Sequence, residues 1–377
     1  MKKILGIETS CDDTCISLIE AEKENPFYFK VLSNIVSSQT EIHKKWGGIH
    51  PTLAKREHQE NLTPLLGKTL SVLGSAKVLP KKKLKCSDSF LEKESRLSKK
   101  LLPFLEKTAK PPVDAVAVTV GPGLDPSLWT GVNFAKTISC YWKIPIIPVN
   151  HIEAHLIISL FSLEKGRLIP RIITFPAIGL IVSGGHTQLV LIKKIGRYEL
   201  IGETRDDAAG ECFDKTARIL GLGYPGGPAI SEQARKESSV SVDLPRPMIH
   251  AKNYDFSFSG LKTAVLYLCK SLPREKRVSG QYCSAIAREI EQAIIDVLFK
   301  KTLRAVKEYG VETLILGGGV VASQELQKKF KKTGDDVAVL FPPGKTQTDN
   351  ALMTAVTGFF KNPLPLKKVK AAPNLRL

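Results

Sequence analysis

Two histidines, His151 and His155, stand four residues apart directly after the apolar run Ile144-Pro145-Ile146-Ile147-Pro148-Val149. On a helix, positions i and i+4 share a face one turn apart, so both imidazoles can reach a single ion. Imidazole suits zinc and iron among other metals. Zinc peptidases use the same spacing, but their general-base glutamate directly follows the first histidine. Here Glu153 comes two positions later, about 200° round the helix, and faces away from an ion shared by both rings. A lone histidine pair is often incidental, so the reading depends on what else converges on it.

Other stretches carry groups with chemical potential. Glu8-Thr9-Ser10-Cys11-Asp12-Asp13 is a polar turn between two apolar runs. Such a turn presents backbone N–H groups and hydroxyls to an anion, and Glu8 and Asp12 add carboxylates that could take a proton. Ser183-Gly184-Gly185-His186 repeats this arrangement after the apolar run ending Ile181-Val182. Asp206 to Lys215 reads as a helix start with a dense acidic first turn, which favours the positive helix end or could hold a hydroxyl-rich ligand. Tyr224-Pro225-Gly226-Gly227-Pro228 allows close backbone approach, and Gly317-Gly318-Gly319 opens towards a helix near Ser323, an arrangement that suits an anion or nucleotide.

The elements that must position these groups alternate. Strands are expected near residues 3–8, 15–19, 113–120, 144–149, 175–182, 189–192, 198–203, 313–316 and 337–341, and helices near 51–73, 126–142, 229–236, 280–309 and 348–360. This alternation predicts an α/β fold. The strand–turn–strand unit starting at Ile4 and again at Ile178 suggests two related lobes facing each other across a cleft, residues 1–150 and 151–360. The last helix is allowed to pack back on the first lobe, and a Pro/Lys tail, 361–377, is expected to be partly loose. Within the first lobe lies a charged stretch near 75–105, read as an exposed insertion, partly helical at about 89–107.

The 377 residues have 43% hydrophobic and 24% charged content, as in a globular protein. No apolar run approaches membrane-span length, and the start of the chain does not resemble a signal peptide. Seven cysteines without a framework suggest reduced thiols and a cytoplasmic location. Net charge is +18; residues 77–110 contribute eleven Lys/Arg against four Asp/Glu, and the remainder is spread along the chain. That distribution favours a polyanionic partner such as RNA.

In order along the chain, these segments, together with Leu53-Ala54-Lys55-Arg56-Glu57-His58, Gly121-Pro122-Gly123-Leu124, Asp255 to Thr263 and Thr348-Asp349-Asn350, resemble the bacterial TsaD family of tRNA threonylcarbamoyladenosine transferases, relatives of the Kae-type proteins. The resemblance implies a two-lobed actin-like fold (the Hsp70 and sugar-kinase class) with a central cleft. It implies one divalent metal ion per subunit, Fe2+ or Zn2+, held by His151, His155 and Asp349, the last supplied from the other lobe. It further implies binding of threonylcarbamoyl-AMP by Ile181, Val182, Ser183, Gly184, Gly185, Asp214 and Gly227, with Ser323 standing where the family usually has Asn. The expected reaction moves the threonylcarbamoyl group to N6 of an adenosine beside the tRNA anticodon, with Glu8 or Asp12 accepting the proton. Expected partners are tRNA, a TsaB-like paralogue and a TsaE-like ATPase, with no membrane. Rival readings are a nucleotide-binding scaffold or chaperone of the same fold class, and a metallopeptidase. Asp125-Pro126, Trp129 and the 75–105 stretch depart from the family pattern.

Overall fold

A computed structural model describes residues 1–22, 27–74, 90–277, 279–334 and 336–377. The lysine run Lys81-Lys82-Lys83 lies outside these residues. In chain order the elements are β1 (Lys2–Glu8), β2 (Thr14–Glu22), β3 (Tyr28–Ser37), α1 (Thr40–Lys44), α2 (Pro51–Leu70), α3 (Ser95–Lys107), β4 (Ala115–Gly121), α4 (Asp125–Trp142), β5 (Ile146–Asn150), α5 (His151–Ile158), β6 (Phe161–Glu164) and β7 (Arg167–Pro170). There follow β8 (Ala177–Val182), β9 (Thr187–Lys194), β10 (Arg197–Glu203), α6 (Ala209–Ile219), α7 (Gly226–Ala234), α8 (Ser259–Ser271), α9 (Arg274–Arg277), α10 (Gly280–Tyr309), β11 (Thr313–Gly317), α11 (Gln324–Lys331), β12 (Ala338–Leu340) and α12 (Ala351–Phe359).

The chain divides into two units. Unit 1 comprises Met1–Ile42, Ile49–Arg171 and Pro343–Leu377; unit 2 comprises His43–Gly48 and Ile172–Pro342. The main crossover thus falls at 171/172 rather than 150/151, and α12 and the tail belong to unit 1.

Unit 1 is built on a sheet of order β5-β4-β1-β2-β3-β7-β6. Side chains alternate across a strand, so Leu5 and Ile7 join Ile16, Leu18, Val116 and Val118 on one face, under apolar residues of α2, α3 and α4. Gly6 points to the opposite face, where α12 lies. A Cβ at Gly6 would sit 2.3 Å from the Ala351 carbonyl oxygen, and one at Gly358 would sit 2.5 Å from Ala117 Cβ. Two missing side chains therefore let α12 lie close on the sheet.

Two expectations change in this unit. The described part of the 75–105 stretch is not simply a solvated insertion: Leu97, Leu101 and Leu105, at helical spacing, are buried in the unit 1 core with Leu91, while Arg96, Lys99 and Lys100 are exposed. The tail is held along unit 1 by backbone hydrogen bonds. Leu364 N donates to Ile146 O at 3.0 Å, Ala372 N to Val120 O at 2.7 Å and Gly123 N to Pro373 O at 3.1 Å. Val369 is also buried in the unit 1 core; the lysine-rich composition hid this, because backbone groups and a few scattered apolar side chains make the attachment.

Unit 2 has a sheet of order β10-β9-β8-β11-β12. Its core joins Ile178, Leu180, Leu314 and Leu316 to Ile290, Ile294 and Leu298 of the thirty-residue α10. Reversed, this order is β12-β11-β8-β9-β10, which matches β5-β4-β1-β2-β3 strand for strand. In both, an antiparallel hairpin (β1/β2, β8/β9) is followed outward by two parallel strands. The repeat suggested by Ile4 and Ile178 is a duplicated sheet, and the α/β, two-lobed reading holds.

Among the described residues no helix is long and apolar enough to cross a membrane. Cys140 is disulfide-bonded, which departs from the expectation of reduced thiols throughout, while Cys11, Cys15, Cys212, Cys269 and Cys283 are reduced thiols.

Candidate functional site

Helix α5 begins at the end of β5, and Asn150 caps it: its side-chain oxygen accepts from Ile152 N at 2.9 Å and Glu153 N at 3.2 Å. The cap satisfies donors that would otherwise be orphaned at a buried helix start. His151 opens the first turn and His155 follows one turn on, with ring centroids 4.7 Å apart. From the opposite direction, Asn350 caps α12 by accepting from Met353 N at 3.1 Å, and the close seating of α12 on Gly6 brings the preceding Asp349 to the two rings. Asp349 Oδ1 stands 3.1 Å from His155 Nε2 and 3.6 Å from His151 Nε2.

One ligand atom from each of His151, His155 and Asp349 lies within 4.8 Å of the others. All three belong to unit 1, so Asp349 does not come from the other lobe. Two imidazole nitrogens and a carboxylate oxygen are a donor set for zinc or ferrous iron that leaves positions open. The far nitrogen of His151 is also engaged: Nδ1 is 3.3 Å from Glu8 Oε2 and 3.2 Å from Ser10 Oγ. An outer carboxylate of this kind fixes the ring tautomer and frees Nε2 for the ion. Burial would lower the pKa of His151, but Asp349 and then Glu8 more than offset it, and it is pushed up to about 9. Glu153 is buried and paired with Lys361 at 2.6 Å, outside this donor set.

Glu8 has no exposed surface. One carboxylate oxygen accepts from Ser10 N at 2.7 Å; the other is approached by Thr119 Oγ1, Thr354 Oγ1 and His151 Nδ1. Burial pushes its carboxyl up, yet His151 and Thr119 hold it below the usual range. These contacts hold Glu8 against His151 and the hydroxyls of Thr119 and Thr354. Burial and the charge of Asp349 raise the Asp12 carboxyl, and burial with Asp12 raises Asp13 to about 7. The turn carrying them is clamped by His58 of α2, whose ring lies 2.7 Å from Thr14 Oγ1 and 3.0 Å from the Cys11 carbonyl. Sequence reasoning missed the positioning roles of His58 and Asn150; an Asn directly before a helix was a readable signal for the second.

In unit 2, the β8–β9 turn closes on itself: Ser183 N donates to His186 O at 2.8 Å and His186 N to Ser183 Oγ at 3.1 Å. Ser183 O accepts from Gly210 N, at the start of α6, at 3.2 Å. Ile181 pairs with Gly317, and a Cβ on Gly318 would lie 2.4 Å from Val182 O, so the glycine turn after β11 lies against the turn after β8. Asp214 of α6 accepts from Gly226 N at 2.7 Å, which fixes the start of α7 and Gly227. Ser231 of α7 and Ser323 both donate to Glu291 Oε1, at 2.5 and 3.4 Å. Ile181 to Gly185, Asp214, Gly227 and Ser323 are thus brought into one neighbourhood. Around Gly184, Gly185 and Gly227 the space a Cβ would occupy is open, as a backbone-lined ligand surface requires. The Ser323 hydroxyl caps α11, accepting from Leu326 N at 3.3 Å.

Asp206 and Asp207 precede α6 and are used internally. Asp206 caps α8, accepting from Phe258 N, Ser259 N and the hydroxyls of Ser257 and Ser259. Asp207 pairs with Lys215 at 2.7 Å and Lys262 at 2.9 Å. Both carboxylates have partners within unit 2, which accounts for the acidic stretch as support for the starts of α6 and α8.

The model of the TsaD family, described as tRNA N6-adenosine threonylcarbamoyltransferase, matches residues 30–78 and 87–356. The chain belongs to this family. Proteins named tRNA N6-adenosine threonylcarbamoyltransferase are similar to it over nearly its whole length. That of Persephonella marina is 43% identical over 362 residues, 95% of this chain and 89% of the relative. That of Thermosipho africanus is 38% identical, with 99% of each chain covered, and that of Dehalococcoides mccartyi is 40% identical, with 95% and 93% covered. The family match resumes at residue 87, so the internal stretch without a counterpart in the family model narrows from 75–105 to 79–86.

Proposed function

We propose that this chain transfers the threonylcarbamoyl group of threonylcarbamoyl-AMP to N6 of the adenosine 3′ to a tRNA anticodon, releasing AMP. Family membership supports the reaction, and the convergence of His151, His155 and Asp349 on one point is the observation that carries the metal-assisted form of it. A scaffold or chaperone has no need of that donor set, and the burial and pairing of Glu153 disfavour a peptidase.

The donor is a mixed carbamoyl–phosphate anhydride and the acceptor a weakly nucleophilic exocyclic amine. The new bond joins N6 to the carbamoyl carbon, the carbon–oxygen bond to the phosphate breaks, and the amine loses a proton. Positioning and charge stabilisation therefore dominate the barrier. His151, His155 and Asp349 would hold Fe2+ or Zn2+, which when bound supplies a Lewis acid for the carbamoyl oxygen. Glu8 keeps His151 in the ligating tautomer. In unit 2, the backbone of Ser183-Gly184-Gly185 and Gly227 receives the adenylate, with Asp214 holding the Gly226–Gly227 loop in place. Asp12, with its raised carboxyl, accepts the proton from N6.

The reading includes a cytoplasmic location, where tRNA is available, and assembly with a TsaB-like paralogue and a TsaE-like ATPase. The test is incubation with unmodified tRNA, threonylcarbamoyl-AMP and those partners, followed by mass spectrometry of the nucleosides. Appearance of N6-threonylcarbamoyladenosine is expected; its absence with all components and metal present would overturn the reading.

A further inference from the structure

In unit 1, a pocket of about 650 Å³ lies where α4, α2 and residues 90–94 meet. Trp129, Asn133 and Lys136 line it from one face of α4, at spacings of four and seven. Lys136 is only 7% exposed. Its ammonium lies 5.5 Å from the centre of the Phe90 ring and 5.8 Å from that of Trp129, and it has no hydrogen bond or ion pair among the described residues. The one buried carboxylate at the pocket, Glu94, is already taken by Lys55 at 3.3 Å, by Gln59 and by Thr130.

A buried ammonium carries three donors and a full charge, and two ring faces replace only part of its lost hydration. Burial and the charge of Lys370 both hold its pKa below the usual lysine range. Lys55 and Lys93 line the same pocket, as do the exposed carboxylates of Glu92 and Asp125, so the case for an anion rests on the buried, unpaired ammonium of Lys136 rather than on the net charge of the lining. Lysine is a point-charge binder of phosphate, and the volume is that of a small-ligand site.

We propose that this pocket is a phosphate-binding site with Lys136 as its central cation. A free phosphate and a phosphate of an RNA backbone present the same chemistry to Lys136. The site is separate from the residues assigned to transfer, and its free-phosphate arm does not depend on the transferase reading.

The test uses the full chain with inorganic phosphate and, separately, unmodified tRNA, comparing wild type with Lys136→Met and Lys136→Arg. Trp129 provides a fluorescence signal, and thermal melting checks that each variant is folded. Phosphate should saturate a fluorescence change in the wild type, K136M should weaken it at least about tenfold, and K136R should retain it. If the phosphate belongs to RNA, K136M should also weaken tRNA binding and lower its salt slope by about one. A loss confined to inorganic phosphate supports the site with a free anion as its ligand, and a loss confined to tRNA supports it with the RNA backbone. Should K136M destabilise the chain, Trp129→Leu, which removes one ring but keeps the ammonium, should still weaken phosphate binding several-fold, read for this variant and the wild type by isothermal titration calorimetry. Folded variants that bind both probes as the wild type does would overturn the proposal.

Discussion

Glu8 Oε2 stands 3.3 Å from His151 Nδ1, tying the last residue of the first strand to the first residue of the helix that carries both histidines. The contact commits the other ring nitrogen of His151 to the Asp349 side. Replacing Glu8 with Gln removes the charge while keeping the shape. Zinc affinity, measured by competition titration, is expected to fall about 10- to 100-fold, the range for lost outer-sphere partners. An unchanged affinity would separate Glu8 from the metal centre.

His151→Ala combined with His155→Ala removes two of the three donors. Bound metal, read by elemental analysis, and tRNA modification should both disappear while circular dichroism stays that of the wild type. Full transfer by the metal-free variant would falsify the metal's role.

Gly6→Ala tests how Asp349 is delivered. The added methyl would meet the Ala351 carbonyl at 2.3 Å, so α12 must shift or the strand must bend. A loss of about 1–3 kcal/mol in denaturant unfolding is expected, together with weaker metal binding because Asp349 precedes α12. Destabilisation with unaltered metal affinity would mean that the seating of α12 does not place the carboxylate.

Lys301 in unit 2 gives a pH-dependent prediction. Its side chain is 1% exposed and donates to Asn253 O at 3.0 Å. Burial, then the charge of Arg304, lowers its pKa from 10.5 to about 8. The unfolded chain holds that proton more tightly, so stability is lost as pH falls from about 10.5 through about 8, and the cost is fully present at pH 7. Lys301→Met should therefore stabilise the chain at pH 7 by about 1–2 kcal/mol, once the lost hydrogen bond is set against the shift. The gain should shrink towards pH 10. A gain independent of pH would assign the effect to packing instead.

Much of this was legible in the sequence. The spacing of His151 and His155 follows from helix geometry, and the misplacement of Glu153 for peptidase chemistry follows from the same geometry. Apolar runs punctuated by glycine marked most strands, and α10 was readable to its ends because its apolar periodicity runs unbroken to Gly310. The order of the short motifs pointed to the family before any coordinates.

Tertiary structure alone decided the rest. That Asp349 joins the histidines within one unit depends on Gly6 and Gly358 letting α12 lie close on the sheet, and the absence of a side chain does not announce what will fill the space. The engagement of Glu8 with His151, and of Asp206 and Asp207 with partners in α6 and ahead of and within α8, likewise arises between residues distant in sequence. A carboxylate's role is set by which donors the fold brings to it. The ammonium of Lys136 is the converse case: in the sequence it is one lysine among many, and only packing shows that α4 buries it beside two rings with no ion pair among the described residues.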